Sequence, residues 1–150
     1  MHDFSVAAQV NGNNNYMVGN TCYRVSNSKT RRRPTGQCFS LQPYQWSRDN
    51  LVANNTMAYT ADAAIQLVPG EGGVSSGHRV VGNILYSCGL ATSSNRRDAC
   101  IAVSLDASVG PQTLIGNLMY NPGRSVSVLY RRDWSEEAGR LRSAHGDTVE

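Results

Sequence analysis

The sequence predicts an all-β solenoid of about four coils, closed at its C-terminal end by a short helix. Three observations carry that expectation. The first is composition: only 17% of the 150 residues are charged, and Gly (14), Asn (13) and Ser (16) are abundant. That excludes a coiled coil or long helical bundle, which would be rich in Glu, Lys, Ala and Leu. The second is a motif of the form apolar, apolar, small, Asn, any, apolar that occurs four times, and the third is a short apolar alternation that follows each copy.

The four motifs are Met17–Cys22, Val52–Met57, Val80–Leu85 and Leu114–Met119, with their asparagines at Asn20, Asn55, Asn83 and Asn117, spaced by 35, 28 and 34 residues. The alternations are Phe39–Leu41, Ile65–Leu67, Ile101–Val103 and Val126–Val128. From each of the first three alternations to the next motif Asn the count is 16, 18 and 16 residues, whereas from Asn to its own alternation it is 19, 10, 18 and 9. Length therefore varies at one corner only. An earlier half-rung begins at Asp3, because Asp3-Phe4-Ser5-Val6 has the form of Asp62–Ile65 and Asp98–Ile101.

Short strands recurring in register, joined by loops instead of helical patterns, form coils that stack on one another. Period-2 alternation then sends one set of side chains inward. Met17, Val52, Val80 and Leu114 form one interior column, Cys22, Met57, Leu85 and Met119 a second, and Phe39, Ile65, Ile101 and Val126 a third. The four asparagines lie at a bend between the first two columns, each amide within reach of the next, about 4.8 Å along the axis. An antiparallel sandwich of short hairpins is the rival arrangement, but it leaves the Asn column unexplained.

These residues resemble the right-handed parallel β-helix proteins: pectate-lyase-like and polygalacturonase-like enzymes, alginate-modifying enzymes and phage tailspikes. The resemblance covers residues 3 to about 130 and implies a right-handed parallel β-helix as a single domain over 1–150, with a cap or tail over 131–150, or a segment of a longer solenoid. Trp134, Ala138 and Leu141 fall at helical spacing after Asp133-Trp134-Ser135-Glu136, so a helix is expected over 134–142. The motif is structural and shared by many activities, so it implies fold more strongly than function.

Two insertions carry the most chemistry. Residues 28–36 hold Lys29, Arg31, Arg32 and Arg33, residues 91–98 hold Arg96 and Arg97, and Arg124 falls at the same corner. Guanidinium forks bind carboxylates bidentately, so this basic edge is expected to hold an acidic polysaccharide. Its plain alternative is a solvated loop. Tyr23, Tyr86 and Tyr120 each follow an inward residue and should project outward on one face, with Ala58 as a gap, where sugar rings or a neighbouring subunit would stack on them. Asp62 and Asp98 precede equivalent strands, which suits them to acid–base catalysis or to binding calcium, although Asp is also an ordinary turn residue before a strand.

The expected function is therefore carbohydrate binding, or lyase, hydrolase or epimerase action, on an acidic polysaccharide. The alternative is a non-catalytic solenoid such as a tailspike, fibre or capsid-associated component, a homo-oligomer and a trimer if tailspike-like. No cofactor other than calcium and no nucleic-acid partner is expected, and localisation is secreted or virion-associated. With no apolar run near ~18 residues, no membrane insertion is expected. There is no phosphate-binding loop, serine-hydrolase, zinc-protease or dinucleotide motif. His78 reads as a surface loop residue. All four cysteines are expected to stay reduced, since Cys38 and Cys100 share a column two coils apart, about 10 Å.

Overall fold

The computed structural model describes residues 6–25, 36–41, 46–67, 74–90, 100–104, 110–120, 128–131 and 142–143. The chain runs through the same series of short strands again and again. The first round is β1 (Val6–Gln9), β2 (Gly12–Asn13), β3 (Tyr16–Val18) and β4 (Thr21–Tyr23). The second is β5 (Gln37–Leu41), β6 (Trp46–Arg48), β7 (Leu51–Ala53) and β8 (Thr56–Ala58), and the third is β9 (Ile65–Leu67), β10 (Val74–Ser76), β11 (Arg79–Val81) and β12 (Ile84–Tyr86). Then follow β13 (Ile101–Ser104), β14 (Thr113–Ile115), β15 (Leu118–Tyr120), β16 (Val128–Arg131) and β17 (Arg142–Ser143).

Each strand pairs with its counterpart one round away, giving four sheets ordered β1-β5-β9-β13-β16-β17, β10-β6-β2, β14-β11-β7-β3 and β15-β12-β8-β4. Every pairing is parallel except β16 with β17. The protein is thus all-β with parallel sheets stacked in register, consistent with a solenoid and not with a sandwich of antiparallel hairpins. Among the described residues there is no helix.

The predicted interior columns sit in the core. Val52, Val80, Met57 and Leu85 have no exposed surface, while Met17, Leu114 and Met119 at the two ends are partly buried. Phe39, Ile65 and Ile101 align as expected. Their column continues differently at its ends: Val128, not Val126, pairs with Ile101, and Ala8, not Val6, pairs with Phe39. Both departures are shifts of two residues, the period of the alternation, so alternation alone does not distinguish them.

The asparagine column is present as a hydrogen-bonded ladder. Asn20, Asn55 and Asn83 each donate both the backbone N–H and the side-chain Nδ2 to the Oδ1 of the next asparagine, at 2.8–3.0 Å. Asn55, Asn83 and Asn117 use their second Nδ2 proton on the carbonyls of Met17, Val52 and Val80. The residue before each ladder Asn, Gly19, Asn54, Gly82 or Gly116, has φ between 53° and 69°. That left-handed bend, which Gly and Asn tolerate best, explains the small position of the motif.

A second ladder occupies the corner before β3, β7, β11 and β14, through Asn15, Asn50, His78 and Gln112. Asn15 N–H and Nδ2 donate to Asn50 Oδ1, Asn50 N–H donates to His78 Nδ1 at 3.2 Å, and His78 N–H donates to Gln112 Oε1 at 2.8 Å. His78 is fully buried, so its reading as a surface residue is corrected. Nδ1 accepts the Asn50 N–H, so the imidazole is the neutral Nε2–H tautomer, with Nε2 3.0 Å from Ser75 Oγ. Burial lowers its pKa to about 4, opposed by the nearby Asp49 carboxylate.

The expectation of four reduced cysteines is also corrected. Cys22 and Cys38 form a disulfide with Cα atoms 6.0 Å apart. Comparison along a column sets cysteines two rounds apart, whereas this bridge joins different columns, from β4 at the end of the first round to β5 at the start of the second. Cys88 and Cys100 are free thiols, both buried. The expected helix over 134–142 lies mostly outside the described residues, and Arg142, its last residue, opens β17 antiparallel to β16.

Candidate functional site

The outer surface of the β4, β8, β12 and β15 sheet carries a continuous row of tyrosines. Tyr23, Tyr86 and Tyr120 project outward in register, since Tyr23 and Tyr86 pair with Ala58, and Tyr86 pairs with Tyr120. The expected gap at Ala58 is filled by its neighbour. Tyr59 has φ +54°, and this bend brings its ring between those of Tyr23 and Tyr86. Ring centroids are 5.4 Å apart for Tyr23–Tyr59, 5.3 Å for Tyr59–Tyr86 and 5.4 Å for Tyr86–Tyr120. The first two contacts are edge-to-face and the third is stacked, arrangements that the ring quadrupole favours.

All four rings remain between 38% and 57% exposed, which leaves them open to a ligand along the axis of the stack. Arg24, also in the left-handed region at φ +53°, lays its guanidinium over Tyr23 at 5.0 Å from the ring centroid. A cation thus stands at one end of the row. Burial against its neighbours, then the adjacent Tyr86 phenol, raises the Tyr59 pKa, so Tyr59 is a neutral hydroxyl donor at neutral pH.

Beside the tyrosines run two further outward columns. One is Thr21, Thr56, Ile84 and Leu118; the other is Val18, Ala53, Val81 and Ile115. Ile84, Leu118 and Ile115 are about half exposed, so the first column turns from polar to apolar toward β15, while the second is apolar from Val18 to Ile115. Strands β5, β9 and β13 offer no such open surface, because Ser40, Gln66 and Ala102 are buried along with their inward neighbours. Trp46, with the Arg48 guanidinium 4.8 Å from its ring, is a separate exposed aromatic on β6.

Asp62 is buried, and its carboxylate is engaged: Oδ1 accepts the Ala63 N–H at 2.9 Å and Oδ2 accepts Gln37 Nε2 at 3.2 Å. Asp98 lies outside the described residues, as do Arg31, Arg32, Arg33, Arg96, Arg97 and Arg124. No group of three or more His, Cys, Asp or Glu that would hold a metal ion occurs among the described residues. Of the residues predicted for the site, Tyr86 and Tyr120 are therefore brought together, within a row that also includes Tyr23. Sequence reasoning missed Tyr59 and Arg24, and the signal available for both was the residue just past each outward tyrosine position.

No protein-family model, curated protein or solved structure matches the chain.

Proposed function

We propose that this chain is a right-handed parallel β-helix of about four coils that binds an acidic polysaccharide along its tyrosine row. The observation that carries this reading is the unbroken run of four exposed rings from Tyr23 to Tyr120, one per round of the chain. Pyranose faces stack on aromatic rings, and a repeating ligand suits a repeating surface. The acidic character of the ligand rests on Arg24 at the end of the row, and on sequence: the insertion 28–36, bearing Arg31, Arg32 and Arg33, and the insertion 91–98, bearing Arg96 and Arg97, each start five residues after an outward tyrosine, Tyr23 and Tyr86. Binding without turnover is favoured, because the Asp62 carboxylate already accepts two hydrogen bonds.

The test is calorimetric titration with polygalacturonate, alginate and neutral dextran. Tyr59→Ala and Tyr86→Ala should each weaken binding about 2- to 10-fold, the equivalent of ~0.5–1.5 kcal/mol per aromatic contact. Arg32→Ala and Arg97→Ala should weaken it as well, and affinity should fall with salt as the Debye length shrinks below about 8 Å. Equal affinity for dextran, or no effect of either tyrosine change, would refute the reading.

One observation favours a second reading, a non-catalytic structural solenoid: the exposed Ile84, Ile115 and Leu118 beside the tyrosines form an apolar surface suited to a neighbouring subunit. On that reading sedimentation shows a stable oligomer, trimeric if tailspike-like, that Leu118→Lys dissociates, and no polysaccharide binds.

A further inference from the structure

The outward surface of the two sheets that end in β14 and β15 gathers the exposed apolar groups of the chain. Among the described residues, every exposed large hydrophobic except Trp46 and Leu90 lies on these strands or at the Tyr59 bend beside them. The same strands carry no Asp or Glu, while Arg79 on β11 and Arg24 just past β4 are exposed. By charge complementarity, an occupant that matches this face is anionic, and it also has apolar surface to bury.

Round by round, the column next to the tyrosines separates these two demands. It reads Thr21, Thr56, Ile84 and Leu118, each two residues before Tyr23, Ala58, Tyr86 or Tyr120 and so about 7 Å away along the strand. Beside Tyr23 and Tyr59 the column offers threonine hydroxyls. Beside Tyr86 and Tyr120 it offers Ile84 and Leu118, 47% and 52% exposed, with Ile115 at 60% across the bend. Arg24 stands at the hydroxyl end. Bare sugar hydroxyls find partners at Thr21 and Thr56, but laid on Ile84 and Leu118 they lose water and gain no bond. An apolar substituent at that place reverses the balance.

We propose that the polysaccharide bound along the tyrosine row is O-acetylated, with acetyl groups lying on Ile84 and Leu118 and a carboxylate reaching Arg24. This rests on the reading that the row binds an acidic polysaccharide, and it names the substituent. An acetyl ester on a ring hydroxyl extends toward the neighbouring column, adds one methyl group and leaves the carboxylate ionised. A methyl ester on the carboxylate would instead remove the charge that Arg24 meets. Each methyl buried is worth about 4-fold in affinity, and one on each of the two apolar rounds about 15-fold.

The test is calorimetric titration with chemically acetylated alginate and with the same lot after mild alkaline de-acetylation, which restores the hydroxyls and leaves the carboxylates. The acetylated polymer should bind the natural chain about 4- to 15-fold more tightly. In Ile84→Thr with Leu118→Thr, which continues the threonines of the first two rounds, that ratio should fall below about 2, and in Thr56→Leu it should rise by about 4-fold. Equal affinity of the natural chain for both polymers overturns the inference while the reading beneath it stands. A ratio unchanged in both variants also overturns it, since the acetyl groups then lie elsewhere. Binding of neither polymer overturns the reading and the inference together, and a stable oligomer in sedimentation would then assign the apolar strip to a second copy.

Discussion

Replacing Asn83 by Leu tests the asparagine ladder at its most buried member. The Asn83 side chain has no exposed surface and makes four hydrogen bonds: Oδ1 accepts the Asn55 N–H and Asn55 Nδ2, while Nδ2 donates to the Val52 carbonyl and to Asn117 Oδ1. Leucine nearly matches asparagine in shape but replaces none of them. Asn55 Nδ2 keeps its bond to the Met17 carbonyl, and Asn117 Oδ1 keeps the Asn83 backbone N–H. The Asn55 N–H keeps nothing. An orphaned buried donor costs about 1 to 3 kcal/mol, and the weakened carbonyl and amide partners bring the expected loss to ~3 kcal/mol. For a domain of this length that is a Tm lower by about 6 to 12 °C. Asn20→Leu is the control, because Asn20 is exposed and donates only to Asn55 and to the Val18 carbonyl, so its removal should cost under ~1 kcal/mol. Thermal melts of both variants decide the matter: equal losses would show that the ladder does not hold the coils together.

Three further outcomes are expected. His78 has a folded pKa of about 4 against ~6.5 unfolded, so its contribution is complete above pH 6.5 and lost as pH falls toward 4, by up to about 3 kcal/mol; denaturant titrations should show His78→Asn losing less stability than the natural chain over that window, and parallel losses would refute the buried neutral imidazole. At Gly82, with φ +62° and the Asn54 Oδ1 only 2.7 Å from where a Cβ would lie, Ala should cost ~2 kcal/mol or more, against about 1 kcal/mol for Gly116→Ala, where φ is +61° but no atom lies within 4 Å. Removing the disulfide by Cys22→Ala with Cys38→Ala should lower stability by about 3 kcal/mol under oxidising conditions and by much less with reductant present, measured by urea unfolding.

The asparagine ladder was legible because a single residue type recurs at a fixed place between apolar neighbours. The ladder of Asn15, Asn50, His78 and Gln112 was not, because three residue types there do one job, offering an acceptor to the backbone N–H of the round before. Nothing in a pattern of residue classes equates an imidazole nitrogen with an amide oxygen. Tyr59 escaped for a different reason: it is one residue out of register with Tyr23 and Tyr86, and only the left-handed bend brings its ring into their line. Alternation has a period of two residues and does not separate Val126 from Val128 as the partner of Ile101, and the register takes Val128. The Cys22–Cys38 bridge joins positions in different columns, and comparing residues within columns does not find it.

Both ladders join residues 28 to 35 positions apart, so a strand of this protein finds its partner only after the chain has gone once around. Closing a loop of 28 rather than 35 residues saves only ~0.2 kcal/mol, too little for length to choose which round forms first. Burial distinguishes the rounds instead. Val52, Met57, Val80 and Leu85, flanked by a round on either side, have no exposed surface, whereas Met17, Leu114 and Met119 stay partly exposed. Burial thus concentrates the apolar driving force on the pairing of the second and third rounds, where four inward side chains of the two columns have no exposed surface.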